Sequence, residues 1–308
     1  MKILITPRSY GKTDKKVFEL LDQAGIDYQI NETGAILSKE QMIEKLQDCD
    51  GVIVGVDPMD GEVINRANKL KVISKYGVGV DNIDLETAAQ KGIKVSKTVG
   101  ANSEAVADYA MSLMLALARK VLPIDANCRQ GNWKKITSID VSHKTIGILG
   151  FGAIGKLVAK RAQGFDMRVL AYDVYWDEDY AREHSIERSD PDTIIKEADF
   201  ISLHLPLLPE TQNMVGADQF ALMKPTTIIV NTARGGLINE DALLNALKEK
   251  QIYGAGIDVF VEEPPSNEEW YGLDNVILGS HCAASTVDAA LNMGRLATEN
   301  LIRDLFSS

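Results

Sequence analysis

The chain has 308 residues, which is the length of two ordinary domains. Its formal net charge of −11 disfavours a surface for nucleic acid or for anionic membranes, and no apolar run approaches the ~20 residues of a membrane span. The three cysteines form no C-x-x-C pair and no disulfide framework, so we expect a cytoplasmic protein.

The first third of the chain alternates short apolar strands with helical spacings. Strands are predicted at residues 2–6, 28–30, 51–54, 72–74 and 93–95, and helices at 13–24, from 38 onward and at 84–91. Ser38 and Gln41 have the spacing of a capping box at the start of the second helix. This alternation predicts a small parallel α/β unit.

A glycine-containing loop follows the fourth predicted strand of this unit. Gly77 and Gly79 leave backbone N–H groups open to an anionic ligand. The other interpretation is a tight turn before a helix, and spacing alone favours that turn.

A long apolar helix comes next, and we predict it over residues 104–129. Asn102 or Ser103 is placed to cap its start, and Pro123 is expected to break or kink it. Its wide apolar face suits either a buried core or a subunit interface, and periodicity does not separate the two.

The middle of the chain carries a strand, a glycine turn and a helix in that order. Thr145–Leu149 is short, apolar and β-branched, and it leads directly into Gly150-Phe-Gly-Ala-Ile-Gly155. Gly150 allows the tight turn, Gly152 lets the backbone approach a pyrophosphate, and Gly155 lets strand and helix pack closely. The helix start offers N–H groups to the anion. This order predicts a dinucleotide site.

An acidic residue indicates which dinucleotide the site takes. The next strand, predicted at 167–172, ends in Asp173, close to the ~20-residue spacing of the fingerprint. A carboxylate there accepts hydrogen bonds from ribose hydroxyls and repels a 2′-phosphate. The sequence therefore predicts NAD rather than NADP.

The rest of the chain predicts a doubly wound sheet of six strands. The further strands are at 198–204, 226–230, 252–259 and 276–278. Helix starts are predicted at Asp190–Pro191 and at Asn239 or Glu240. Ser285–Asp288 is predicted to be a capping box for a terminal helix from Val287 to about residue 305.

Three side chains after strand ends have the properties that hydride transfer to a 2-keto acid requires. Arg234 offers a guanidinium fork for a carboxylate, and His281 offers an imidazole as acid and base. Glu263 offers a carboxylate that can orient the imidazole. Because parallel strands end at one sheet edge, we expect the three side chains to converge there.

Six ordered blocks extend this pattern over essentially the whole chain. They are Tyr76–Asp84, Gly150–Gly155, His204–Leu207, Asn231–Gly236, Asp258–Pro264 and Gly279–Thr286. In these blocks the sequence resembles the D-isomer-specific 2-hydroxyacid dehydrogenase family, in its short phosphoglycerate dehydrogenase branch. The resemblance implies an NAD-dependent oxidoreductase that transfers a hydride between nicotinamide and a D-2-hydroxy acid, with a 2-hydroxy or 2-keto acid as its small-molecule partner.

The resemblance also implies roles for single residues. Arg234, Glu263 and His281 would be catalytic, with Glu262 the less suitable partner for the histidine. Implied cofactor-binding residues are Gly150, Gly152, Ala153, Ile154, Gly155, Asp173, His204, Pro206, Thr232, Ala233, Arg234, Asp258, His281, Ala283 and Ala284. Implied substrate-binding residues are Val78, Gly79, Asn102, Arg234 and His281, which reverses the preference for a plain turn at Gly77–Gly79. No metal is expected.

The implied architecture is α/β, with two doubly wound parallel-sheet domains. Residues 1–101 and 285–308 would form a flavodoxin-like substrate domain, and residues 102–284 a Rossmann domain for NAD. The implied assembly is a homodimer that contacts neither nucleic acid nor membrane.

The substrate is the open part of this prediction. The resemblance favours oxidation of 3-phosphoglycerate to 3-phosphohydroxypyruvate, a step of serine biosynthesis. The alternative is a glyoxylate or hydroxypyruvate reductase, because Gly55–Met59 has no Arg or Lys where phosphoglycerate dehydrogenases often have a basic residue. Whether Lys75 replaces that residue is open. A distant alternative is an NADH-sensing binding protein.

Overall fold

The computed structural model describes residues 1–307 and divides them into two compact units. Unit 1 comprises Met1–Asn102 together with the chain from Ala284 onward, and unit 2 comprises Ser103–Ala283. Each unit has its own sheet, and every strand pairing in both sheets is parallel. Among these described residues, no helix combines the length and the apolar character that crossing a membrane requires.

Strands and helices alternate along nearly the whole chain. The strands are β1 Lys2–Ile5, β2 Asp27–Ile30, β3 Gly51–Val54, β4 Val72–Lys75, β5 Lys94–Lys97, β6 Thr145–Leu149, β7 Arg168–Tyr172, β8 Glu187–Arg188, β9 Phe200–Leu203, β10 Ile228–Asn231, β11 Gly254–Ile257 and β12 Val276–Leu278. The α-helices are α1 Lys16–Gln23, α2 Lys39–Leu46, α3 Gly61–Arg66, α4 Leu85–Gln90, α5 Ser103–Ala118, α6 Val121–Arg129, α7 Ala153–Gln163, α8 Glu178–Glu183, α9 Pro191–Glu197, α10 Ala217–Leu222, α11 Glu240–Lys248 and α12 Val287–Phe306. A 3-10 helix covers Glu268–Gly272.

Unit 1 has the strand order β2-β1-β3-β4-β5, which is the flavodoxin-like order. Its middle strands β3 and β4 are buried at every position, and Gly51–Val54 has no polar side chain, as expected of a parallel strand covered on both faces. Leu301 of α12 packs in the same cluster as Ile3, Ile53 and Val72. The terminal helix therefore completes the core of the unit in which the chain begins.

Unit 2 has the strand order β8-β7-β6-β9-β10-β11-β12. From β6 the chain adds strands outward on one side, through β7 and β8, and then on the other side, starting with β9. The point between β6 and β9 is therefore the topological switch point, where such sheets bind dinucleotides. The predicted six strands become seven because Glu187–Arg188 adds an edge strand of two residues. Two charged residues carry no apolar signal, so the sequence did not indicate this strand.

The long helix predicted over 104–129 is broken, as expected, but the break lies at Lys120 rather than at Pro123. The helix ends at Ala118, and a second helix starts at Val121 after Lys120 adopts the left-handed conformation with φ of 53°. Pro123 lies in the first turn of α6, where its missing N–H costs nothing. Leu113 of α5 packs on Gly256 of β11, so the core interpretation holds for α5.

Helix caps account for two correctly predicted helix starts. The capping box at Ser38 is confirmed, and Asp190 caps α9 as predicted. The predicted capping box starting at Ser285 is wrong. Thr286 is the N-cap of α12, and its hydroxyl accepts the N–H of Ala289 at 3.1 Å. Three helices of six residues, α3, α8 and α10, were not predicted because fewer than two turns give too little periodicity.

Candidate active site

The glycine loop between β6 and α7 has a shape that only glycine permits at two positions. Gly150 has φ of +105°, and a Cβ there would lie 2.5 Å from the carbonyl carbon of His204. A Cβ at Gly155 would lie 2.0 Å from the carbonyl oxygen of Gly150. At Gly152, by contrast, a Cβ would meet nothing within 4 Å. A side chain would therefore clash with the protein at Gly150 and Gly155, whereas the space beside Gly152 is empty of protein atoms.

The first turn of α7 faces this open position. Gly152 is its N-cap and supplies no side-chain cap. The first N–H groups of a helix lack intrahelical partners, so those of Ala153 and Ile154 suit an anion.

Asp173 is attached to the glycine loop by its side chain. One carboxylate oxygen accepts the N–H of Phe151 at 2.7 Å, and the other accepts the N–H of Tyr175 at 2.9 Å. Each oxygen therefore keeps acceptor capacity for a ribose hydroxyl. Asp173, the residue predicted to bind the ribose, therefore lies directly beside the loop predicted to bind the phosphates.

His204 follows β9 on the other side of the switch point. Its Nε2 lies 2.8 Å from Ser202 Oγ, while its Nδ1 is buried and has no partner among the described residues. Burial lowers the pKa of His204 to about 3, so the ring is neutral near pH 7. A neutral ring suits contact with a cofactor better than proton transfer. Thr232 Oγ1, after β10, is also buried without a partner in residues 1–307.

His281 and Glu263 form a hydrogen-bonded pair. The Nδ1 atom of His281 lies 2.8 Å from Glu263 Oε2, and Glu263 Oε1 accepts the N–H of Phe260 at 3.1 Å. Both side chains are partly exposed, at 49% and 37%. Glu262 instead accepts a hydrogen bond from Ser266 Oγ at 2.6 Å. The pair chosen from the sequence is the pair that the structure brings together.

The loop that carries His281 is held by Asp258, which is completely buried. Its carboxylate accepts the N–H groups of Cys282 and Ala283, both at 2.9 Å, and its carbonyl accepts the N–H of His281 at 2.8 Å. His281 itself has φ of 52°. Asp258 was predicted to line the nicotinamide end, which stays a prediction, and its hydrogen bonds show that it fixes the histidine loop. Ala284 starts the next stretch of unit 1.

Arg234 lies in the loop after β10, which Asn231 braces. The amide of Asn231 donates to Arg234 O at 2.8 Å, and its oxygen accepts the N–H of Ala233 at 3.1 Å. A Cβ at Gly235 would lie 2.1 Å from the carbonyl carbon of Phe260. The Arg234 loop therefore packs against the loop that leads to Glu263. Asn231 was not predicted, although an Asn directly after a strand is a recognisable turn signal.

The loop after β4 in unit 1 carries the other predicted substrate residues. Gly77 has φ of +131°, and its N–H donates to Thr98 Oγ1 at 2.9 Å. Val78 is exposed at 39%, and Gly79 is partly buried beside it. Asn102 is the last residue of the first segment of unit 1.

Lys75 is buried and engaged within unit 1. Its ammonium group donates to the carbonyl of Gly55 and to Asn82 Oδ1, the latter at 2.8 Å. Asn82 in turn donates to the carbonyl of Asp57 at 2.6 Å. These bonds make Lys75 a brace for the loop after β3.

Comparison with known proteins identifies the family. Residues 111–283 match the model of the D-isomer specific 2-hydroxyacid dehydrogenase, NAD binding domain. The chain belongs to this family. As a member of this dehydrogenase family it is an NAD-dependent oxidoreductase of D-2-hydroxy acids and their keto acids.

Three relatives show how the resemblance extends beyond that domain. A glyoxylate reductase of Korarchaeum cryptofilum is 42% identical over 273 residues, covering 86% of this chain and 82% of the relative. A D-3-phosphoglycerate dehydrogenase of Methanocaldococcus jannaschii is 45% identical over 269 residues, covering 86% of this chain and 51% of the relative. The solved TT0316 protein of Thermus thermophilus superposes with a TM-score of 0.91 at 36% identity, covering 99% of this chain and 97% of that one.

The residues of this dehydrogenase fit NAD. Gly152 leaves its face open for a pyrophosphate, and Asp173 keeps acceptor capacity for a ribose. His204 Nδ1 and Thr232 Oγ1 are two buried polar atoms that otherwise have no partner in the described chain, and buried polar atoms usually have one.

Proposed function

We propose that this dehydrogenase reduces small, unphosphorylated 2-keto acids with NADH, and that glyoxylate and hydroxypyruvate are preferred to 3-phosphohydroxypyruvate. The loop Gly55–Met59 after β3 carries the argument. It contains no basic residue, and Val56 is exposed there at 56%. The nearby ammonium of Lys75 already donates to Gly55 O and Asn82. The loop itself therefore supplies no cation to a phosphate dianion, and the ammonium of Lys75 is already engaged in bracing it.

The similarity to the glyoxylate reductase of Korarchaeum cryptofilum supports the same proposal. That relative is matched over most of its length, whereas the chain spans about half of the Methanocaldococcus phosphoglycerate dehydrogenase. The alternative drawn from the sequence is thus better supported than the first choice of 3-phosphoglycerate.

We propose the following roles in the reaction. Arg234 holds the carboxylate of the keto acid and polarises its carbonyl group. Bound NADH supplies the hydride. His281 gives a proton from Nε2 to the carbonyl oxygen, and Glu263 stabilises the charged ring through Nδ1. Val78 and Gly79 offer backbone N–H groups to the substrate carboxylate.

A substrate panel tests the proposal. NADH oxidation is measured with glyoxylate, hydroxypyruvate and 3-phosphohydroxypyruvate, and NAD reduction with D-lactate and 3-phosphoglycerate. We expect the highest kcat/KM with an unphosphorylated acid. A higher kcat/KM for either phosphorylated acid would assign the chain to phosphoglycerate oxidation instead.

A matched variant pair tests the role of the loop after β3. Val56→Arg places a guanidinium at the exposed position, and Val56→Gln adds similar bulk without charge. We expect only Val56→Arg to raise relative activity on the phosphorylated acid, by about tenfold for one charge-assisted contact. Equal effects of both variants would remove this loop from substrate selection.

We propose that two chains associate through α6. No residue of this nine-residue helix is buried, and Val121, Leu122 and Ile124 are exposed at 50%, 54% and 36%. Trp133, in the following stretch of unit 2, is exposed at 85%. Exposed apolar side chains that lie together mark contact surfaces.

A charge on α6 tests this interface. Leu122→Glu should convert a dimer to a monomer in light-scattering measurements. Val287→Glu, at an exposed residue of α12, is the control and should leave the dimer intact. A wild-type monomer would disprove the assignment.

A further inference from the structure

The segment Asp173–Asp177 is held on both sides by unit 2 itself. At its start, the carboxylate of Asp173 accepts the N–H of Phe151 within the glycine loop. At its end, Asp177 pairs with Lys156 on α7 and caps α8 by accepting the N–H of Tyr180 at 3.1 Å. The acid that meets the ribose therefore lies in a segment whose two ends are fixed to the phosphate loop and its helix.

Trp176 packs this segment onto the glycine motif. Its indole stacks on the buried ring of Phe151, with 4.9 Å between ring centroids and 22° between planes. The indole N–H donates to Glu178 at 2.9 Å. Stacked aromatic pairs stabilise a contact beyond the burial of their surface. Removing the indole would therefore loosen the segment without removing either of its end contacts.

The same indole also holds a cation. The guanidinium carbon of Arg188 lies 5.6 Å from the centre of the Trp176 ring, within the range of a cation–π contact. Arg188 belongs to β8 and lies opposite Ala171 of β7, two positions before Asp173. The guanidinium of Arg188 therefore lies on the face of Trp176, in the strand next to the one that leads to Asp173.

Binding of the 2′-phosphate of NADPH has two requirements that this arrangement does not meet. The phosphate carries negative charge, so the carboxylate of Asp173 must move away from it. It also needs a cation, and guanidinium is the group best suited to phosphate. Here the carboxylate is fixed by two N–H groups, and the nearby guanidinium is engaged with Trp176.

We propose that Trp176 is a specificity-determining residue that favours NADH over NADPH, by holding the Asp173 segment on Phe151 and by keeping Arg188 away from the 2′ position. The inference concerns the cofactor site and does not depend on which keto acid the enzyme reduces. Its test is equilibrium binding of NADH and NADPH to the full chain without substrate, followed by nicotinamide fluorescence. A failed substrate proposal would leave this measurement unaffected.

The decisive variants are Trp176→Ala and Trp176→Leu, of which the second fills space without an aromatic face. We expect both to lower the ratio of the NADPH Kd to the NADH Kd by about tenfold, which corresponds to about 1.4 kcal/mol. Trp176→Phe keeps a stacking ring and should keep most of the wild-type ratio. Circular dichroism and thermal unfolding confirm that each variant is folded, and the partly exposed position of the indole favours folding.

The double variant Trp176→Ala/Arg188→Met separates the two parts of the mechanism. We expect it to lose most of the gain in NADPH affinity, because the released cation is absent and only the loosening of the Asp173 segment remains. Persistent tight NADPH binding would overturn the role of Arg188. A ratio within about twofold of the wild type in folded Trp176→Leu, a difference well below 1 kcal/mol, would overturn the whole proposal.

Discussion

The Nδ1 atom of His281 lies 2.8 Å from Oε2 of Glu263, while Oε1 of the same carboxylate accepts the N–H of Phe260 at 3.1 Å. The backbone thereby fixes the carboxylate, and the carboxylate fixes the ring. Nδ1 is occupied by this bond, so Nε2 is the nitrogen left for proton transfer. This relationship gives the histidine a defined orientation before substrate binds.

Replacing His281 by Asn should lower kcat by about 10²- to 10⁴-fold, because a general acid is lost. Asn suits the backbone here, since His281 has φ of 52° and Asn tolerates the left-handed region. His143→Asn is a matched control at φ of 60°, on an exposed residue. The measurements are steady-state kinetics and NADH binding. A variant that loses NADH affinity as strongly as turnover would contradict the proposed proton-transfer role.

Two neighbouring glutamates provide an internal comparison. Glu263→Gln should lower kcat by about 10- to 100-fold, as expected for a lost hydrogen bond to a charged group. Glu262→Gln should change kcat by less than about twofold, since Glu262 contacts Ser266 rather than His281. Kinetics at saturating NADH distinguish them. Equal losses in both variants would show that the hydrogen bond between His281 and Glu263 does not govern catalysis.

Arg234→Lys keeps the positive charge but removes the planar fork. We expect kcat/KM for the keto acid to fall by about 10- to 100-fold, because bidentate contact to a carboxylate is worth about 1.5–3 kcal/mol. Arg295→Lys, at a side chain exposed at 73%, is the surface control. If Arg234→Lys has wild-type kcat/KM, Arg234 does not hold the substrate through its guanidinium.

Substitution by alanine should affect NADH binding at one glycine of the motif and stability at another. Gly152→Ala should leave stability within about 0.5 kcal/mol, since its Cβ would meet nothing within 4 Å, but should weaken NADH binding by filling the open face. Gly155→Ala should destabilise the fold, because its Cβ would lie 2.0 Å from the carbonyl of Gly150. Urea unfolding and NADH titration are the measurements. Undiminished NADH affinity in Gly152→Ala would place the pyrophosphate elsewhere.

The sequence predicted the main elements of the site because its signals are local. Gly150–Gly155 lies between an apolar strand and a helix, and both parallel sheets and their fold class follow from strand–helix alternation. The pairing of His281 with Glu263 was chosen by resemblance, and the structure shows the contact. Local patterning and ordered motifs were sufficient for these features.

Other features depend on contacts that are distant in sequence. Trp176 received no functional role from the sequence, because nothing in its surroundings indicates that its ring meets Phe151. Asp258 was assigned to the cofactor, and its bonds to the N–H groups of Cys282 and Ala283 become visible only in three dimensions. The break at Lys120 was placed at Pro123, since a left-handed non-glycine residue has no sequence signature. Tertiary contacts determine each of these.

His204 should make stability depend on pH below neutrality. Burial lowers its pKa from an ordinary 6.5 to about 3, so between these values the unfolded chain binds a proton that the native chain does not. Stability should therefore fall as pH decreases from about 6.5, by at most about 1.4 kcal/mol per pH unit from this group. Above pH 6.5 the ring is neutral in both states, so its contribution there is constant.

The measurement is urea unfolding of wild type and His204→Gln at several pH values between 7 and 4. Carboxylates also titrate in this range, so the informative quantity is the difference in unfolding free energy between the two proteins. That difference should shift in favour of the glutamine variant as pH falls, because glutamine binds no proton in the unfolded chain. His143→Asn, at an exposed histidine, should show no such trend. A pH-independent difference for His204→Gln would mean that the ring accepts a proton in the native protein.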